Sequence, residues 1–262
     1  MIDVNEEIME LCEKEYLEKT LAVPIGRMKD DVVYMDFTKI SGLFIAGATG
    51  TGKSVLIDWI IRGLMYKNFP SDVKFCLIDP KKIELNEYNN LDYIINNVSL
   101  SNSNEILDSL EYINKVINFR LDELSSNECL SMKDYTKKTK KSWPHIFIVV
   151  EEGYDIIDNL KIRNSFEKIL IYGKDIGMHL IFSTNAYLDK FVKNRFIDMF
   201  KYKATFDLAS EEQEKLINLK NSNWLKSPGD ALIKGFNSKV YRFQSIDLED
   251  KNDCALLQSN NN

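Results

Sequence analysis

Short apolar runs alternate with helical patterns through most of the chain. Four runs have the length of a buried strand and lie at residues 43–46, 73–78, 146–150 and 178–183. Between them, apolar residues recur at helical spacing over about 53–66, 105–124 and 162–172. Strands that alternate with helices in this way form a parallel sheet, and the helices cover both of its faces. The pattern therefore predicts an α/β fold, a mostly parallel sheet with helices on both faces.

The two ends of the chain have different patterns from its centre. Residues 1–20 show helical spacing amid many glutamates and predict an N-terminal helical extension, which Pro24 is expected to end. The last residues, 250–262, finish in three asparagines and are predicted to be disordered. The folded domain is therefore predicted to span 21–249. It is expected to close with a C-terminal β-hairpin, formed by 230–234 and 239–243.

The composition is that of a folded protein, with 44% apolar and 28% charged residues among 262. These values exclude a disordered chain, and no apolar run approaches the ~20 residues of a membrane-spanning helix. The N-terminus lacks the pattern of a secretory signal. The four cysteines form no CxxC pair, which predicts a reduced, cytoplasmic protein without a zinc site. Any membrane attachment is expected to come from a membrane-anchored partner.

The net charge of −6 argues against a protein that nucleic acid covers over its whole surface. Two lysine-rich segments, 133–141 and 190–203, remain candidates for a local basic track. Each has two interpretations, a surface that contacts nucleic-acid phosphates or a solvated loop.

The clearest chemical signal is a complete G-x4-G-K-[ST] phosphate loop, with a predicted strand before it and a predicted helix after it. Glycines let backbone N–H groups point at phosphate oxygens, and the helix adds the positive end of its dipole. Lys53 is expected to reach the β- and γ-phosphates, and the Ser54 hydroxyl to coordinate magnesium. The predicted nucleotide-binding residues are Gly47, Ala48, Thr49, Gly50, Thr51, Gly52, Lys53, Ser54 and Val55.

A second signal is a pair of glutamates at the end of the predicted strand 146–150. In a P-loop ATPase such a strand ends in an acid near the metal, here Glu151, and a general base, here Glu152. The alternative is a solvated helix N-terminus, where the helix dipole favours glutamate.

The two histidines, His145 and His179, are expected to be structural. His179 falls at the start of the predicted strand 178–183, and His145 has no evident partner. Neither is expected to take part in catalysis.

One further segment is more specific than the phosphate loop. It reads Ile78-Asp79-Pro80-Lys81, with Glu84-Leu85 shortly after it. Together with the segments 144–155, 177–184 and 228–232, it makes the chain resemble the motor domain of FtsK/SpoIIIE-type DNA translocases over about residues 20–248.

This resemblance implies a RecA-like P-loop ATPase that binds ATP and Mg²⁺. The family assembles as a hexameric ring and moves double-stranded DNA through its pore. Ser54 and Glu151 would then hold the metal, and Glu152 would activate water. The resemblance also implies two further catalytic residues, Asn185 at the position of a sensor glutamine and Lys174 at that of a trans-acting arginine.

The chain departs from the family at three of these positions. Glu151 stands in place of an aspartate, Asn185 in place of glutamine and Lys174 in place of arginine. Lysine supplies charge without a two-pronged contact, so slow or partner-dependent hydrolysis is expected. The chain also has few residues for the family's additional motor subdomain or winged-helix DNA reader, which indicates a near-minimal motor core.

Two alternatives to a DNA translocase stay open for these reasons. One is an ATPase of the same fold that serves protein secretion or conjugation coupling. The other is a weakly hydrolysing ATP-binding scaffold.

Overall fold

The computed structural model describes residues 21–28, 31–81, 83–95, 103–185, 191, 193, 195–208, 225, 228–235 and 240–245. The predicted N-terminal extension, 1–20, and the predicted tail, 250–262, lie outside these ranges. In the part of the chain that is described, no helix is long and apolar enough to cross a membrane.

A single sheet of nine strands runs through the described residues. The strands are β1 (Ala22–Met28), β2 (Asp31–Asp36), β3 (Gly42–Ala46), β4 (Val73–Ile78), β5 (His145–Val150), β6 (Met178–Thr184), β7 (Tyr202–Thr205), β8 (Asp230–Lys234) and β9 (Val240–Gln244). Their order in the sheet is β2-β1-β9-β8-β7-β3-β6-β5-β4. The five strands from β7 to β4 are parallel, and the other four extend the sheet in antiparallel fashion. The predicted α/β fold is confirmed.

Helices cover both faces of the parallel strands. They are α1 (Lys53–Lys67), α2 (Ser103–Ser126), α3 (Met132–Thr139) and α4 (Leu160–Ile176). Successive side chains of a strand point to opposite faces, and β3 shows the result. Leu43 and Ile45 join one core with Trp59 of α1, whereas Phe44 joins a second core with Phe166 of α4. The two cores hold β3 rigidly, and the phosphate loop follows its last residue.

Strand β1 corrects the expectation for Pro24, which was only expected to end a helix. Pro24 instead lies inside β1, where the pairing with β2 shifts register between Pro24 and Gly26. Such an irregularity accommodates a residue that has no N–H to donate. Val23 and Ile25 are buried, and the indole N–H of Trp59 donates to the Pro24 carbonyl. This strand therefore packs directly on α1.

Helix α3 shows that the interpretation of 133–141 as a loop was wrong for most of its length. Ser131 caps the helix because its Oγ accepts from the Asp134 backbone N–H at 3.2 Å. Tyr135 is buried, and its ring stacks on Trp143 with centroids 4.3 Å apart. With eight residues, the helix is too short to show a clear apolar periodicity.

Candidate active site

The phosphate loop between β3 and α1 is held in place by backbone contacts from other segments. The Ala48 N–H donates to the Asp207 carbonyl at 2.8 Å, and the Gly229 N–H donates to the Thr51 carbonyl at 2.9 Å. Gly52, the N-cap of α1, has φ +110, a conformation that favours glycine. A Cβ at Gly52 would also lie 3.0 Å from the Gly229 nitrogen. The loop is therefore prefolded, with glycine required where α1 begins.

Lys53 and Ser54 begin α1 and point toward the predicted acids. Lys53 is only 4% exposed, and its Nζ donates to the Ala48 carbonyl at 3.1 Å. The same Nζ lies 3.6 Å from Glu152 Oε1. The Ser54 Oγ donates to Glu151 Oε1 at 2.6 Å. The structure thus brings Lys53 and Ser54 together with both predicted glutamates.

Glu151 is a buried carboxylate that joins the phosphate loop to β6. Its Oε1 accepts from Ser54, and its Oε2 accepts from the Ser183 Oγ at 2.8 Å. Burial raises the pKa of Glu151 to about 7, although the two hydroxyls and nearby Lys53 favour the ionised form. The longer glutamate side chain therefore spans directly between two hydroxyl groups.

Glu152 adopts a backbone conformation that is rare for a residue with a side chain. Its φ is +53, in the left-handed region, and its N–H donates to the Ser183 Oγ at 3.1 Å. The carboxylate is fixed as well, because Oε2 accepts from the Asn185 backbone N–H at 3.2 Å. Rare backbone conformations of this kind cluster at active sites. They turn the second glutamate toward Lys53.

The end of β6 contributes polar atoms that lack a hydrogen-bond partner. Thr184 Oγ1 and Asn185 Oδ1 are both buried, and neither has a partner among the described residues. Buried polar atoms are nearly always satisfied by protein, water or ligand. Asn185 therefore meets the site through its backbone N–H, which donates to Glu152.

A cavity of about 430 Å³ opens between the phosphate loop, the glutamates and the segment after β4. It is lined by Thr49, Gly50, Gly52, Lys53, Ser54, Val55, Asp79, Lys81, Ile83, Glu84, Glu151, Glu152 and Pro228. The segment after β4 was recognised in the sequence only as a family signature. Its place at the site could not be predicted, because β4 lies three strands away from β3 at the edge of the sheet.

The residues around this cavity fit a magnesium-bound nucleoside triphosphate. A helix N-terminus and the Lys53 ammonium suit phosphate oxygens, while the Ser54 hydroxyl and the Glu151 carboxylate are oxygen ligands of the type that Mg²⁺ prefers.

Lys174 lies at the amino ends of the parallel strands, whereas its own phosphate loop lies at their carboxyl ends. It is exposed in the last turn of α4, just before β6 begins, whereas the phosphate loop follows the carboxyl end of β3. The parallel pairing of Gly42 with Leu180 and of Ala46 with Thr184 shows that these are opposite ends of the same two strands. The structure therefore does not bring Lys174 to the cavity within one chain.

The lysine-rich helix α3 also lies at the amino ends of the parallel strands, because it leads into the start of β5. Lys138 pairs with Glu128 at 3.7 Å. No ion pair to a described residue is recorded for the other lysines of this segment, which are exposed: Lys133, Lys137, Lys140 and Lys141.

The two histidines form a pair in which His179 is buried and His145 is partly buried, which corrects the expectation that His145 has no partner. His179 Nδ1 lies 2.8 Å from the Ile40 carbonyl, and His145 Nδ1 lies 3.0 Å from His179 Nε2. A carbonyl only accepts, so His179 carries its proton on Nδ1, and His145 must donate to Nε2. Beside them the buried Arg120 donates to the carbonyls of Ile176 and Pro144. These contacts bind the starts of β5 and β6 to α2.

The strand order and the cavity define the class of the protein, a P-loop ATPase fold. Among solved structures, the chain is similar to the pCW3 conjugation coupling protein TcpA, in its monomer form with ATPγS. The TM-score is 0.80 at 17% identity, over 95% of this chain and 73% of that one. It is also similar to the cytoplasmic domain of the Thermomonospora curvata type VII secretion ATPase EccC, with TM-score 0.78 and 20% identity over 92% and 30%. At these identities the likeness shows the fold alone.

The sequence matches are more specific. The model of the FtsK/SpoIIIE family matches residues 9–197, and the chain belongs to this family. It is 30% identical to the DNA translocase FtsK of Lactiplantibacillus plantarum over 63% of this chain and 22% of that protein. It is 26% identical to the DNA translocase FtsK of Staphylococcus aureus strain Mu50 over 94% and 34%. The chain thus spans between about a fifth and a third of the length of these relatives.

Proposed function

We propose that the chain is an ATP-dependent motor that moves double-stranded DNA as a ring of several copies. The resemblance to FtsK/SpoIIIE-type translocases implies that the ring has six copies. The observation that carries the proposal is the convergence of Lys53, Ser54, Glu151 and Glu152 on one cavity. Family membership and the names of the relatives, DNA translocase FtsK, support DNA as the substrate.

Each residue has a role that follows from its contacts. Lys53 and the N-terminus of α1 bind the triphosphate, and Ser54 with Glu151 would hold Mg²⁺, which neutralises phosphate charge when bound. Glu152 is the base: its carboxylate is fixed by the Asn185 N–H and lies near Lys53, so it can orient a water and accept its proton. Thus the triphosphate and the base share one cavity.

Two features support a shared site and a DNA-facing surface. Lys174 is exposed at the amino ends of the strands, away from the cavity of its own chain. A contact between Lys174 and a nucleotide therefore requires the cavity of another copy. The exposed lysines of α3 lie at the same ends of the strands. They suit the phosphate backbone of DNA, which lysines contact without reading bases.

Phosphate release measured with and without linear double-stranded DNA tests this function. We expect the parent to hydrolyse ATP and DNA to raise its rate. Lys53→Ala should bind ATP at least tenfold more weakly by calorimetry, because an ammonium at the phosphates is lost. Lys115→Ala removes an exposed lysine of α2 and should change neither measurement.

The alternatives predict different results in the same assay. Hydrolysis that DNA leaves unchanged would favour a secretion ATPase, and ATP binding without turnover would favour a scaffold. Equal ATP affinity in the parent and Lys53→Ala would contradict the nucleotide site itself.

A further inference from the structure

The segment after β4 is tied down at its first residue by a single buried carboxylate. Asp79 is 1% exposed. Its Oδ1 accepts from the Lys81 backbone N–H at 3.1 Å. Its Oδ2 accepts from the N–H groups of Ile83, Glu84 and Leu85 at 2.9, 2.8 and 3.1 Å. Four donors on one carboxylate fix the backbone of the described residues of this segment, 79–81 and 83–88, which we name the 79–88 strap.

The far end of the strap is fastened to α1, the helix that the phosphate loop begins. Arg62 of α1 contacts Glu87 at 3.0 Å and Asp58 at 3.0 Å. The Tyr88 hydroxyl donates to the Asp58 carboxylate. Arg62 and Tyr88 are both buried, where such charge-assisted contacts are strongest. Because both ends are anchored, the strap holds a fixed position beside the phosphate loop.

This position brings a second ammonium group to the proposed base. Lys81 Nζ lies 3.9 Å from Glu152 Oε2, and Lys53 Nζ lies 3.6 Å from Glu152 Oε1. The two lysines thus flank the two oxygens of one carboxylate. They differ in access, since the Lys53 side chain is 4% exposed and the Lys81 side chain 54%. Lys81 therefore has freedom to move toward a ligand in the cavity that it lines.

We propose that Lys81 binds the terminal phosphate of the nucleotide from within the same chain, and that Asp79 is the positioning residue that holds it there. The inference rests on the proposed ATP site. In the structure described here the Lys81 ammonium lies on Glu152. When a triphosphate enters, its γ-phosphate offers that ammonium more negative charge than one carboxylate does, and the transfer leaves Glu152 less restrained. A diphosphate lacks this group, so Lys81 distinguishes ATP from ADP.

Calorimetric titration with MgATP and MgADP tests this role without relying on turnover. Lys81→Gln should raise the Kd for ATP roughly fivefold to tenfold, as expected for one partly exposed charge contact, and change that for ADP less than about twofold. Lys81→Arg keeps the cation and should restore ATP affinity to near the parent value. Lys115→Gln, an exposed lysine on α2, is the matched control and should change neither Kd.

Asp79→Asn tests the positioning role. An amide has one acceptor oxygen in place of two, so it cannot bind all four N–H groups. This variant should weaken ATP binding in the parent background and have no further effect in the Lys81→Gln background. If thermal unfolding shows that Asp79→Asn does not fold, the comparison of Lys81→Gln with Lys81→Arg still decides the role of Lys81.

The possible failures are distinguishable. A parent that binds neither nucleotide would refute the proposed function. A parent that binds ATP, with Lys81→Gln at the same ATP Kd or with equal losses for ATP and ADP, would refute only the role of Lys81. Equal losses from Asp79→Asn in both backgrounds would refute positioning through Lys81.

Discussion

The histidine pair predicts how the stability of the domain depends on pH. Burial lowers the pKa of His179 from 6.5 to about 4, and that of His145 falls well below its usual value for the same reason. Protonation of His179 Nε2 would place an N–H against the His145 N–H that it now accepts. The folded state therefore requires both rings neutral.

The sign and size follow from linkage. Below pH 6.5 the unfolded chain binds a proton that native His179 does not, so stability is complete above pH 6.5 and falls as the pH drops toward 4. The difference between 6.5 and about 4 corresponds to roughly 3 kcal/mol at the acid limit. At pH 5 the loss from His179 is about 2 kcal/mol.

Guanidinium unfolding of the parent and His179→Asn, each at pH 7.5 and 5.0, measures this effect. The two proteins share every carboxylate, so subtraction of their pH dependences leaves the contribution of His179 together with its coupling to His145. We expect the parent to lose about 2 kcal/mol more than the variant between the two pH values. Parallel losses in the two proteins would show that burial of His179 does not determine acid stability.

Three further predictions concern catalysis. Glu152→Gln should bind ATP as tightly as the parent or more so, because a charge that competes for Lys53 is removed, while phosphate release stops; turnover near the parent rate would exclude Glu152 as the base. Glu151→Asp restores the pattern of the family and should maintain or raise the rate of phosphate release, and a loss of tenfold or more would show that the span to Ser183 is needed. Lys174→Ala should lower turnover with little change in ATP affinity, Lys174→Arg should raise it, and activity per chain should rise with protein concentration. Light scattering that shows an active monomer with concentration-independent activity would contradict a shared site.

The residues of the phosphate loop and the two glutamates could be predicted because their chemistry is local. A glycine-rich turn between a buried strand and a helix leaves few alternatives, and the acids follow directly from β5. The predicted strands and helices of the centre agree with the structure for the same reason, since each carries its own apolar period.

The contribution of the 79–88 strap and of Ser183 could not be predicted in this way. Asp79 acts on backbone N–H groups, which the sequence does not display, and Lys81 reaches the cavity only through the tertiary course of the strap. Ser183 is one serine in an apolar strand, and its contacts with Glu151 and Glu152 depend on the pairing of β5 with β6. Helix α3 could not be predicted because only its Ser131 cap and one buried residue, Tyr135, support it, and these give no apolar period.

The antiparallel extension of the sheet has a consequence for the order of folding. Arg27 of β1 pairs with Gln244 of β9, more than two hundred residues later in the chain. Among the nine described strands, β1 and β2 are synthesised first, whereas β9, the neighbour of β1 in the sheet, is synthesised last. Contacts of such long sequence separation form late and slowly. Until β8 and β9 pair with β7, β1 lacks its place in the sheet, so a chain cut between residues 208 and 228 would leave the first hairpin without its neighbour.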